Sequence, residues 1–369
     1  MDILFLSWKD LKNPDVGGAE IIVYELAKRL AANGHHVMWF TRRFSGSKEH
    51  DAYDGVNIIR RGGKFSVYWE AYRYYRSLVR KPDKVIDCVN TLCWQTPLYV
   101  PVGNRVMLVN QLAKEVFFYE LPFPFSWFTY VFERFEYLTY KDTQVLCYST
   151  STKIDLATFG IRERNVHVFP LGIDHLRYKP GKKSQNPLFI FVARLTRMKR
   201  PDLCIRAMRL VVDTYPKAKL AILGYGPMEQ KQLKLIQMLN LEANVSLVNK
   251  DTLFFAKNTK DKKVWFMQQA WALLLPSVKE GWGMVVTEAA ACGTPAIVTD
   301  VSGLRDSVVA GKTGLVISSD PTAEELAGAM RRIIKDKKFS DGLAIEARGR
   351  SRQFTWEKSY AAFVKFLES

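Results

Sequence analysis

The stretch Asp2–Arg42, DILFLSWKDLKNPDVGGAEIIVYELAKRLAANGHHVMWFTR, decides the fold class of this chain. It begins with an apolar run, continues with apolar residues at helical spacing, and ends with a second apolar run. Basic residues late in the helical part and Gly34 directly after it are typical of a helix C-terminus. A strand, a helix and a second strand in this order predict a parallel β-α-β unit.

The same alternation continues along the chain in two sets. The first set ends near VHVFPL (166–171), and the second runs from LFIFVARL (188–195) to GLVI (314–317). Between them, residues 171–188 are rich in Pro, Gly and Lys, as a domain linker is. The sequence therefore predicts an α/β protein of two Rossmann-like, doubly wound domains facing each other across a cleft. Their bounds are 1–171 and 172–353, with a last helix at 354–369 that packs back on the first domain.

Charge points to anionic partners. The chain of 369 residues carries a formal net charge of +17, which favours binding to phosphates, nucleic acid or acidic lipid. Residues 1–170 hold 22 Lys/Arg against 18 Asp/Glu, and the remainder holds 32 against 19. The basic excess therefore lies mainly in the second domain, where a solvated basic surface is the alternative explanation.

Targeting and metal-binding patterns are not evident in the sequence. The N-terminus has no signal-peptide pattern, and no uncharged apolar run approaches the roughly 18–20 residues of a membrane helix. The five cysteines lack metal-ligand or redox spacing and are expected to be reduced and buried. We therefore expect a cytoplasmic protein, in peripheral contact at most with the inner face of the cell membrane.

Loops at strand ends carry the candidate binding residues. Gly17 and Gly18 follow the first strand and open a helix, where free N–H groups favour phosphate; an ordinary turn is the alternative. Arg194 and Lys199 lie in one strand-to-helix connection and are able to converge on a single anion. Gly224 and Gly226 open another helix at a strand end and allow the backbone to approach a ligand closely.

Two glutamates flank a predicted helix start in SVKEGWGMVVTEAAACGTPA (277–296). Glu280 precedes the helix and Glu288 lies about one turn inside it. Carboxylates only accept hydrogen bonds, so the pair suits a ligand with several hydroxyls, while the helix N-terminus suits an anion between them. The alternative is one glutamate stabilised by the helix dipole and one on the surface.

Taken together, these motifs resemble the retaining glycosyltransferases of family 4, also called group 1, which have the GT-B fold. The resemblance covers nearly the whole chain. It is carried by GGAE (17–20), PLGID (170–174), ARLTRMKRPD (193–202), GYGP (224–227), PSVKEGWGMVVTEAAACGTPAI (276–297), DVSGLRDSV (300–308) and GKTGLV (311–316). The two glutamates with their flanking EGWG and CGTPA are the most specific element.

The resemblance implies a role for each motif residue. Arg194 and Lys199 would neutralise the leaving diphosphate of a nucleotide sugar, Glu280 would hold the sugar hydroxyls, and Glu288 would hold the ribose. Donor contacts would also come from the backbone at Gly281, Trp282, Gly283, Met284 and Val285, from Gly224 and Gly226, and from Gly17 and Gly18. The resemblance implies no metal and no cofactor besides the substrate; a UDP-sugar is expected rather than a GDP-sugar, from the breadth of the family.

One position departs from the family pattern. Many relatives have a histidine at the end of a strand in the first domain, where this chain has Asn110. Asparagine forms hydrogen bonds but does not take up a proton near neutral pH. Front-face transfer, in which the leaving phosphate accepts the acceptor's proton, would survive this change, although activity would fall if a histidine were required.

Acceptor binding is expected in the first domain. Residues 64–84 and 117–141 mix aromatic with basic or polar side chains, which suits a membrane interface and a lipid-linked acceptor; packing in the core is the alternative. Glu115 and Glu120 lie near enough in sequence to Asn110 to meet an acceptor hydroxyl.

The sequence thus favours a retaining, metal-independent hexosyltransferase that acts on a glycan or lipid-linked saccharide in polysaccharide or glycoconjugate synthesis. A nucleotide-sugar epimerase or hydrolase with the same fold is one alternative. A non-catalytic protein that binds polyanions or membranes is another, although the motifs of nucleic-acid-binding proteins are missing and no nucleic-acid partner is expected.

Overall fold

A computed structural model describes residues 1–248 and 261–368. The chain separates into two compact units. The first contains Met1–Lys114, Trp127–Gly172 and Trp356–Ser369, and the second contains Glu115–Ser126 and Ile173–Thr355. The segment Glu115–Ser126 belongs to the second unit, although the residues on both sides of it belong to the first. This segment is called the crossing segment below, and the sequence analysis did not predict it.

An eight-stranded sheet forms the centre of the first unit. Its strands are β1 (Asp2–Leu6), β2 (His36–Thr41), β3 (His50–Tyr53), β4 (Val56–Arg60), β5 (Lys84–Val89), β6 (Arg105–Val109), β7 (Gln144–Cys147) and β8 (Val166–Val168). Their spatial order is β3-β4-β2-β1-β5-β6-β7-β8. All neighbours are parallel except β3 and β4. The antiparallel β3 was not predicted, because its sequence, HDAY, has no apolar run.

A six-stranded parallel sheet forms the centre of the second unit, in the order β11-β10-β9-β12-β13-β14. Its strands are β9 (Leu188–Val192), β10 (Lys219–Leu223), β11 (Val245–Val248), β12 (Ala272–Leu275), β13 (Ala296–Thr299) and β14 (Gly314–Ile317). These runs are almost continuously apolar because parallel strands covered by helices are buried on both faces.

Helices alternate with the strands, as the periodicity predicts. They are α1 (Gly18–Ala32), α2 (Val67–Ser77), α3 (Val116–Glu120), α4 (Phe125–Leu138), α5 (Thr150–Thr158), α6 (Pro201–Val212), α7 (Glu229–Met238), α8 (Lys262–Gln269), α9 (Met284–Ala291), α10 (Leu304–Ser307), α11 (Ala323–Lys335), α12 (Lys337–Ser351) and α13 (Trp356–Glu368).

The last helix, α13, packs within the first unit. The ring of Phe363 stacks on Phe5 of β1 with centroids 6.2 Å apart, and the Ser359 hydroxyl donates to the Pro170 carbonyl at 2.6 Å. Gly172 lies so close to α13 that an added Cβ would stand 2.4 Å from the Trp356 nitrogen. The chain thus leaves the first unit at Ile173 and re-enters it at Trp356.

Helix α4 reverses the usual distribution of side chains. Its aromatic residues Trp127, Phe128 and Phe135 are exposed, whereas Glu133 and Glu136 are buried. Glu133 is satisfied, because its carboxylate accepts the backbone N–H groups of Ala113 and Lys114, each at 2.7 Å. The aromatic residues of this segment therefore do not simply fill the core, which was one of the two expectations for it.

Glu136 is buried with fewer partners. One carboxyl oxygen interacts with the backbone N–H of Cys93, but Oε2 has no hydrogen-bond partner among the residues that the structure describes. Burial is the main cause that raises the pKa of Glu136 from 4.5 to about 8. The hydrogen bond from the Cys93 N–H opposes it, the nearby carboxylates of Glu133 and Asp87 add to it, and a hydrogen bond with the Gln95 side chain opposes it. Burial thus favours the protonated form of the Glu136 carboxyl in the folded protein.

Among the helices of residues 1–248 and 261–368, none combines the length and apolar character needed to cross a bilayer.

The substitution Glu136→Gln tests the burial of this carboxyl. Because the pKa is about 8 in the folded state and 4.5 ordinarily, the folded protein retains the proton over a range in which the unfolded chain loses it. The stability that the protonated carboxyl contributes is therefore complete below pH 4.5 and is lost as the pH rises to 8. We expect Glu136→Gln to match the wild type near pH 4.5 and to exceed its free energy of unfolding by about 4–5 kcal/mol above pH 8, since each pKa unit corresponds to about 1.4 kcal/mol.

Urea denaturation between pH 4.5 and pH 9 measures this difference. Glu163→Gln, which changes an exposed carboxyl of the same unit, serves as the control and should not alter the pH dependence. A difference between Glu136→Gln and the wild type that stays constant with pH would contradict the burial of an ionisable group.

Candidate functional site

The site in the second unit begins where the strand order reverses. The chain proceeds outward from β9 to β10 and β11 on one side and from β12 to β13 and β14 on the other. The loops after β9 and β12 therefore leave neighbouring strands at the same edge of the sheet in opposite directions. Open parallel sheets bind ligands at such a point, and the predicted residues Lys199 and Glu280 lie in these two loops.

Lys199 and Glu280 meet in an ion pair. The Lys199 ammonium donates to Glu280 Oε1 at 2.5 Å, and the Ser277 hydroxyl donates to the same oxygen at 3.1 Å. Both charged side chains are largely buried but reachable from solvent, with 16% and 15% of their surface exposed. Ser277, which the sequence analysis missed, precedes Glu280 by three residues and orients its carboxylate.

Gly224 and Gly226 support the loop that carries Arg194. A Cβ at Gly224 would lie 2.0 Å from the Ala193 carbonyl oxygen, and one at Gly226, which has φ +153°, would lie 2.7 Å from the Leu195 oxygen. The two loops are joined by hydrogen bonds from the Leu195 N–H to the Tyr225 carbonyl and from the Met228 N–H to the Leu195 carbonyl. The close approach at these glycines is thus to the protein's own backbone, whereas Arg194 is exposed.

The start of α9 is held by two further glycines. Gly283 precedes the helix in the left-handed region at φ +78°. A Cβ at Gly303 would lie 2.4 Å from the Glu280 carbonyl oxygen, so the loop after β13 packs directly on the segment that carries Glu280.

The remaining residues of this segment differ in exposure. Gly281 and Trp282 are buried, and the Trp282 indole donates to the Thr287 hydroxyl at 2.9 Å. Met284 and Val285, in the first turn of α9, are partly exposed. The accessible part of the predicted donor segment is therefore the first turn of the helix.

Glu288 lies in a separate polar cluster. The Tyr178 hydroxyl donates to Oε1 at 2.8 Å, and the Lys263 ammonium donates to Oε2 at 2.6 Å. The carboxylate raises the pKa of Tyr178, although burial of the tyrosine is the larger cause. The sequence analysis missed both partners, which lie in the linker and in α8 and belong to no motif. Each oxygen of Glu288 retains lone pairs for a further donor.

The crossing segment contacts the loop of Lys199. The Glu120 carboxylate accepts the Met198 N–H at 3.1 Å, and the Arg200 guanidinium donates to the Tyr119 hydroxyl at 2.8 Å. Glu120, predicted as an acceptor contact, is thus a neighbour of the predicted donor loop within the second unit. Glu115 is exposed just before α3. Their roles as acceptor contacts stay predictions.

The first unit has its own reversal of strand order, between β1 and β5. The predicted glycines follow β1: Gly17 caps α1, and its N–H donates to the Glu20 carboxylate at 2.7 Å. Glu20 also lies 3.9 Å from the ammonium of Lys9. Gly18 is the first residue of α1. The loop is therefore held by an acidic side chain as well as by the glycines.

Asn110 follows β6 and is nearly buried, with 8% exposed. Its Oδ1 accepts the Tyr148 hydroxyl at 2.7 Å, and its Nδ2 donates to the Val89 carbonyl at 3.3 Å. Its amide is thus fixed in orientation by two neighbouring strands and retains one N–H and one lone pair. Its catalytic role stays a prediction.

Metal ligands are not clustered in the part of the chain that the structure describes: no group of three or more His, Cys, Asp or Glu side chains there is arranged to hold an ion.

Family models match the chain in two successive segments. The model described as Glycosyltransferase Family 4 matches residues 16–177, and the model described as Glycosyl transferases group 1 matches residues 173–350. D-inositol 3-phosphate glycosyltransferase from Corynebacterium jeikeium (strain K411) is 30% identical over 220 residues, which cover 55% of this chain and 51% of that protein. The match therefore spans about half of the length of this curated relative.

Solved structures resemble the whole chain. Sucrose-phosphate synthase from Thermosynechococcus elongatus has a TM-score of 0.79 at 20% identity, with 100% of this chain and 98% of the other covered. Anabaena HepE in complex with UDP-glucose has a TM-score of 0.75 at 17% identity, with coverage of 100% and 99%. Together with the two sheets, which are parallel except between β3 and β4, these likenesses confirm the GT-B fold class.

The substitution Gly224→Ala tests whether the close backbone approach holds the Arg194 loop. Its Cβ would meet the Ala193 carbonyl oxygen at 2.0 Å, so the two loops would have to separate. We expect the free energy of unfolding to fall by about 2 kcal/mol, as measured by urea denaturation.

Gly342→Ala in α12 is the matched control. An added Cβ there meets nothing within 4 Å, and alanine in a helix is favoured over glycine by up to about 1 kcal/mol. Equal stability of the two variants would show that the backbone contact at Gly224 is unimportant.

Proposed function

Because this chain belongs to the family 4, group 1 glycosyltransferases, we propose that it transfers a hexose from a nucleotide diphosphate sugar to a hydroxyl of an acceptor. The products are the nucleoside diphosphate and the glycosylated acceptor. The proposal is a retaining reaction: the bond from the anomeric carbon to phosphate breaks, and the bond to the acceptor oxygen forms on the same face of the sugar.

The hydrogen bonding of Glu280 is the main observation that supports the proposal. Both of its hydrogen bonds, from Lys199 and Ser277, end on Oε1, and within the described part of the chain Oε2 accepts none. A carboxylate held on one oxygen and open on the other is arranged to accept hydroxyls of a sugar without having to rotate. We assign Glu280 to the hexose of the donor.

Positive charge for the diphosphate comes from the loop after β9. The Lys199 ammonium has three N–H donors. Its ion-pair partner among the described residues is Glu280, so two N–H groups remain to bind phosphate oxygens. Exposed Arg194 lies in the same loop. We propose that these two cations, with the N–H groups of the first turn of α9, stabilise the leaving diphosphate without a metal.

Proton transfer is proposed to involve the leaving group itself. As the bond to phosphate breaks, a diphosphate oxygen gains charge and takes the proton of the attacking acceptor hydroxyl. Asn110 has no group that titrates near neutral pH, and this route does not require one. Its orientation by Tyr148 suits it to hydrogen-bond a sugar or phosphate oxygen.

The nucleotide is proposed to be UDP, with Glu288 holding the ribose. Anabaena HepE, which resembles this chain in fold, binds UDP-glucose. The remaining lone pairs of Glu288, fixed by Tyr178 and Lys263, suit two vicinal hydroxyls.

The acceptor is proposed to be a glycan or lipid-linked saccharide of polysaccharide or glycoconjugate synthesis. The first unit exposes apolar side chains on α4, including Trp127, Phe128 and Phe135, and the chain has a net charge of +17. Such a face suits peripheral contact with an anionic membrane, where a lipid-linked acceptor would be met.

The substitution Glu280→Gln tests the catalytic assignment. It keeps the size of the side chain but removes the charge opposite Lys199, so we expect transfer from UDP-hexose to fall at least about 100-fold. Binding of UDP, which has no sugar, should change by less than about threefold, as measured by calorimetry. Glu242→Gln, at an exposed position of the same unit, should leave both quantities unchanged.

If Glu280→Gln transferred hexose as fast as the wild type, the assignment of Glu280 to the sugar of the donor would be wrong. Incubation of the donor alone separates the two alternative reactions: stoichiometric free hexose or an epimer, formed without acceptor, would identify a hydrolase or an epimerase.

The nucleotide preference is tested by thermal shift with UDP, GDP and ADP. A ligand that binds only the folded state stabilises it, by about 2.7 kcal/mol at 100 times its Kd. We expect the largest rise in Tm with UDP, a smaller rise in Lys199→Met because a phosphate contact is lost, and the full rise in Lys217→Met, which alters an exposed lysine of the same unit. A larger rise with GDP would overturn the choice of UDP, and an equal loss in both variants would overturn the role of Lys199.

A further inference from the structure

A groove of about 390 Å³ lies within the second unit and is formed in part by the loop that carries Lys199. The crossing segment, the loop after β10 and the start of α7 complete it. Five of its eight lining residues are apolar or aromatic and three are charged. This size, and an apolar wall with a few polar groups, are typical of sites for small molecules. Two of the loops follow parallel strands, at the edge where α/β sheets bind ligands.

Two of the charged residues are cations without a counter-ion. The side chains of Arg197 and Lys231 are exposed, and in the described part of the chain neither side chain forms an ion pair or a hydrogen bond. Arg200, in the same loop as Arg197, differs because it is paired with Asp320. A guanidinium offers a planar fork of donors and an ammonium a point charge, so the groove suits an anionic group of a ligand.

The third charged residue is Glu120, which is held by the loop of Lys199. One oxygen of its carboxylate accepts the Met198 N–H at 3.1 Å, and the residue is exposed. The carboxylate therefore keeps lone pairs for the donors of a ligand. It repels a bare anion, whereas hydroxyl groups donate to it without adding charge. The ligand that matches all three charged residues thus carries hydroxyls as well as an anionic group.

Tyr119 adds an aromatic side chain of fixed position to the groove. Its hydroxyl accepts a hydrogen bond from Arg200 at 2.8 Å, and the guanidinium lies 5.5 Å from the centroid of the ring. Leu121 is 38% exposed and also lines the groove. A sugar ring has an apolar C–H face and a rim of hydroxyls, so it is able to use both the apolar wall and the polar groups.

We propose that this groove binds a saccharide unit that carries an anionic group, either a phosphate or a carboxylate. Arg197 and Lys231 bind the anionic group, and Glu120 accepts hydroxyls of the ring. This inference rests on the proposed function in one respect: the unit belongs to the acceptor, which is therefore an acidic saccharide. A neutral sugar would leave both cations unpaired, and a small anion without a ring would leave the carboxylate unused.

Four methyl β-D-glucopyranosides that differ only at carbon 6 test the ligand class in the full chain. They carry a hydroxyl, a carboxylate, a phosphate or an ammonium, and saturation-transfer NMR at neutral pH measures their affinities. Inorganic phosphate and acetate, added as competitors, are the anions without a ring. We expect one of the two anionic sugars to bind about tenfold more tightly than the neutral sugar, because each exposed charge pair contributes up to about fivefold.

The comparison of the two anionic sugars identifies the anionic group as phosphate or carboxylate. Tightest binding of the neutral or the ammonium sugar, or no saturable binding of either anionic sugar, would overturn the proposal. An inorganic phosphate or acetate ion that bound as tightly as the matching sugar would overturn its saccharide part.

Variants locate the binding. Arg197→Met and Lys231→Met should each lower the preference for the anionic sugar about threefold, and the double variant should abolish it. Lys234→Met alters an exposed lysine of the same helix that does not line the groove, and it should leave the preference unchanged. Melting temperatures check that these surface variants fold. A full preference in the double variant, or an equal loss in Lys234→Met, would exclude the two cations as the anion site.

Addition of UDP separates this groove from the donor site. Acceptor and donor are bound together during transfer, so saturating UDP should not displace the anionic sugar, and displacement would overturn the assignment to the acceptor. Failure of the proposed function gives a different result. Binding of the anionic sugar without a UDP-induced rise in Tm would retain the groove as a saccharide site and reject the transfer reaction, whereas a rise in Tm without a preference for anionic sugars would do the reverse.

Discussion

The parallel pairing of β9 with β12 is the constraint on which the site of the second unit depends. The register sets Phe189 opposite Ala272 and Ile190 opposite Leu273, and all four side chains are buried. The core therefore fixes where each strand ends, and the two loops that follow begin side by side at one edge of the sheet. The contact between Lys199 and Glu280, 81 positions apart in the sequence, is a consequence of that register.

Backbone contacts between loops then hold the charges in place. Gly224 and Gly226 let the loop after β10 lie against the loop of Arg194, and Gly303 lets the loop after β13 lie against Glu280. Each contact requires the absence of a side chain, so these glycines act on the protein's own geometry. A site of this kind is preorganised: in the proposed transfer, little rearrangement would be required when charge develops on the leaving phosphate.

The sequence was sufficient to predict those features that depend on residues close together in the chain. Strands buried on both faces leave continuous apolar runs, and glycines and basic residues mark helix ends, so the two sheets and the loop positions of Lys199 and Glu280 could be predicted. The partners of Glu288 could not, because Tyr178 is 110 positions away and belongs to no motif. The membership of Glu115–Ser126 in the second unit could not be predicted either. The spacing of apolar residues shows which face of a helix or strand is buried, but not which of the two units it packs against.

Helix α4 shows that the distribution of apolar residues can also predict the wrong side chains to be buried. Apolar side chains of a surface helix normally face the core and charged ones face water, yet here Glu133 and Glu136 are buried and several aromatic rings are exposed. Glu133 has a structural explanation, because two N–H groups of the loop after β6 bind its carboxylate. Glu136 has fewer partners: it interacts with the Cys93 N–H and the Gln95 side chain, while its Oε2 has no hydrogen-bond partner within residues 1–248 and 261–368. The helical period of a sequence thus shows where a helix lies, but not which of its side chains the neighbouring loops require in the interior.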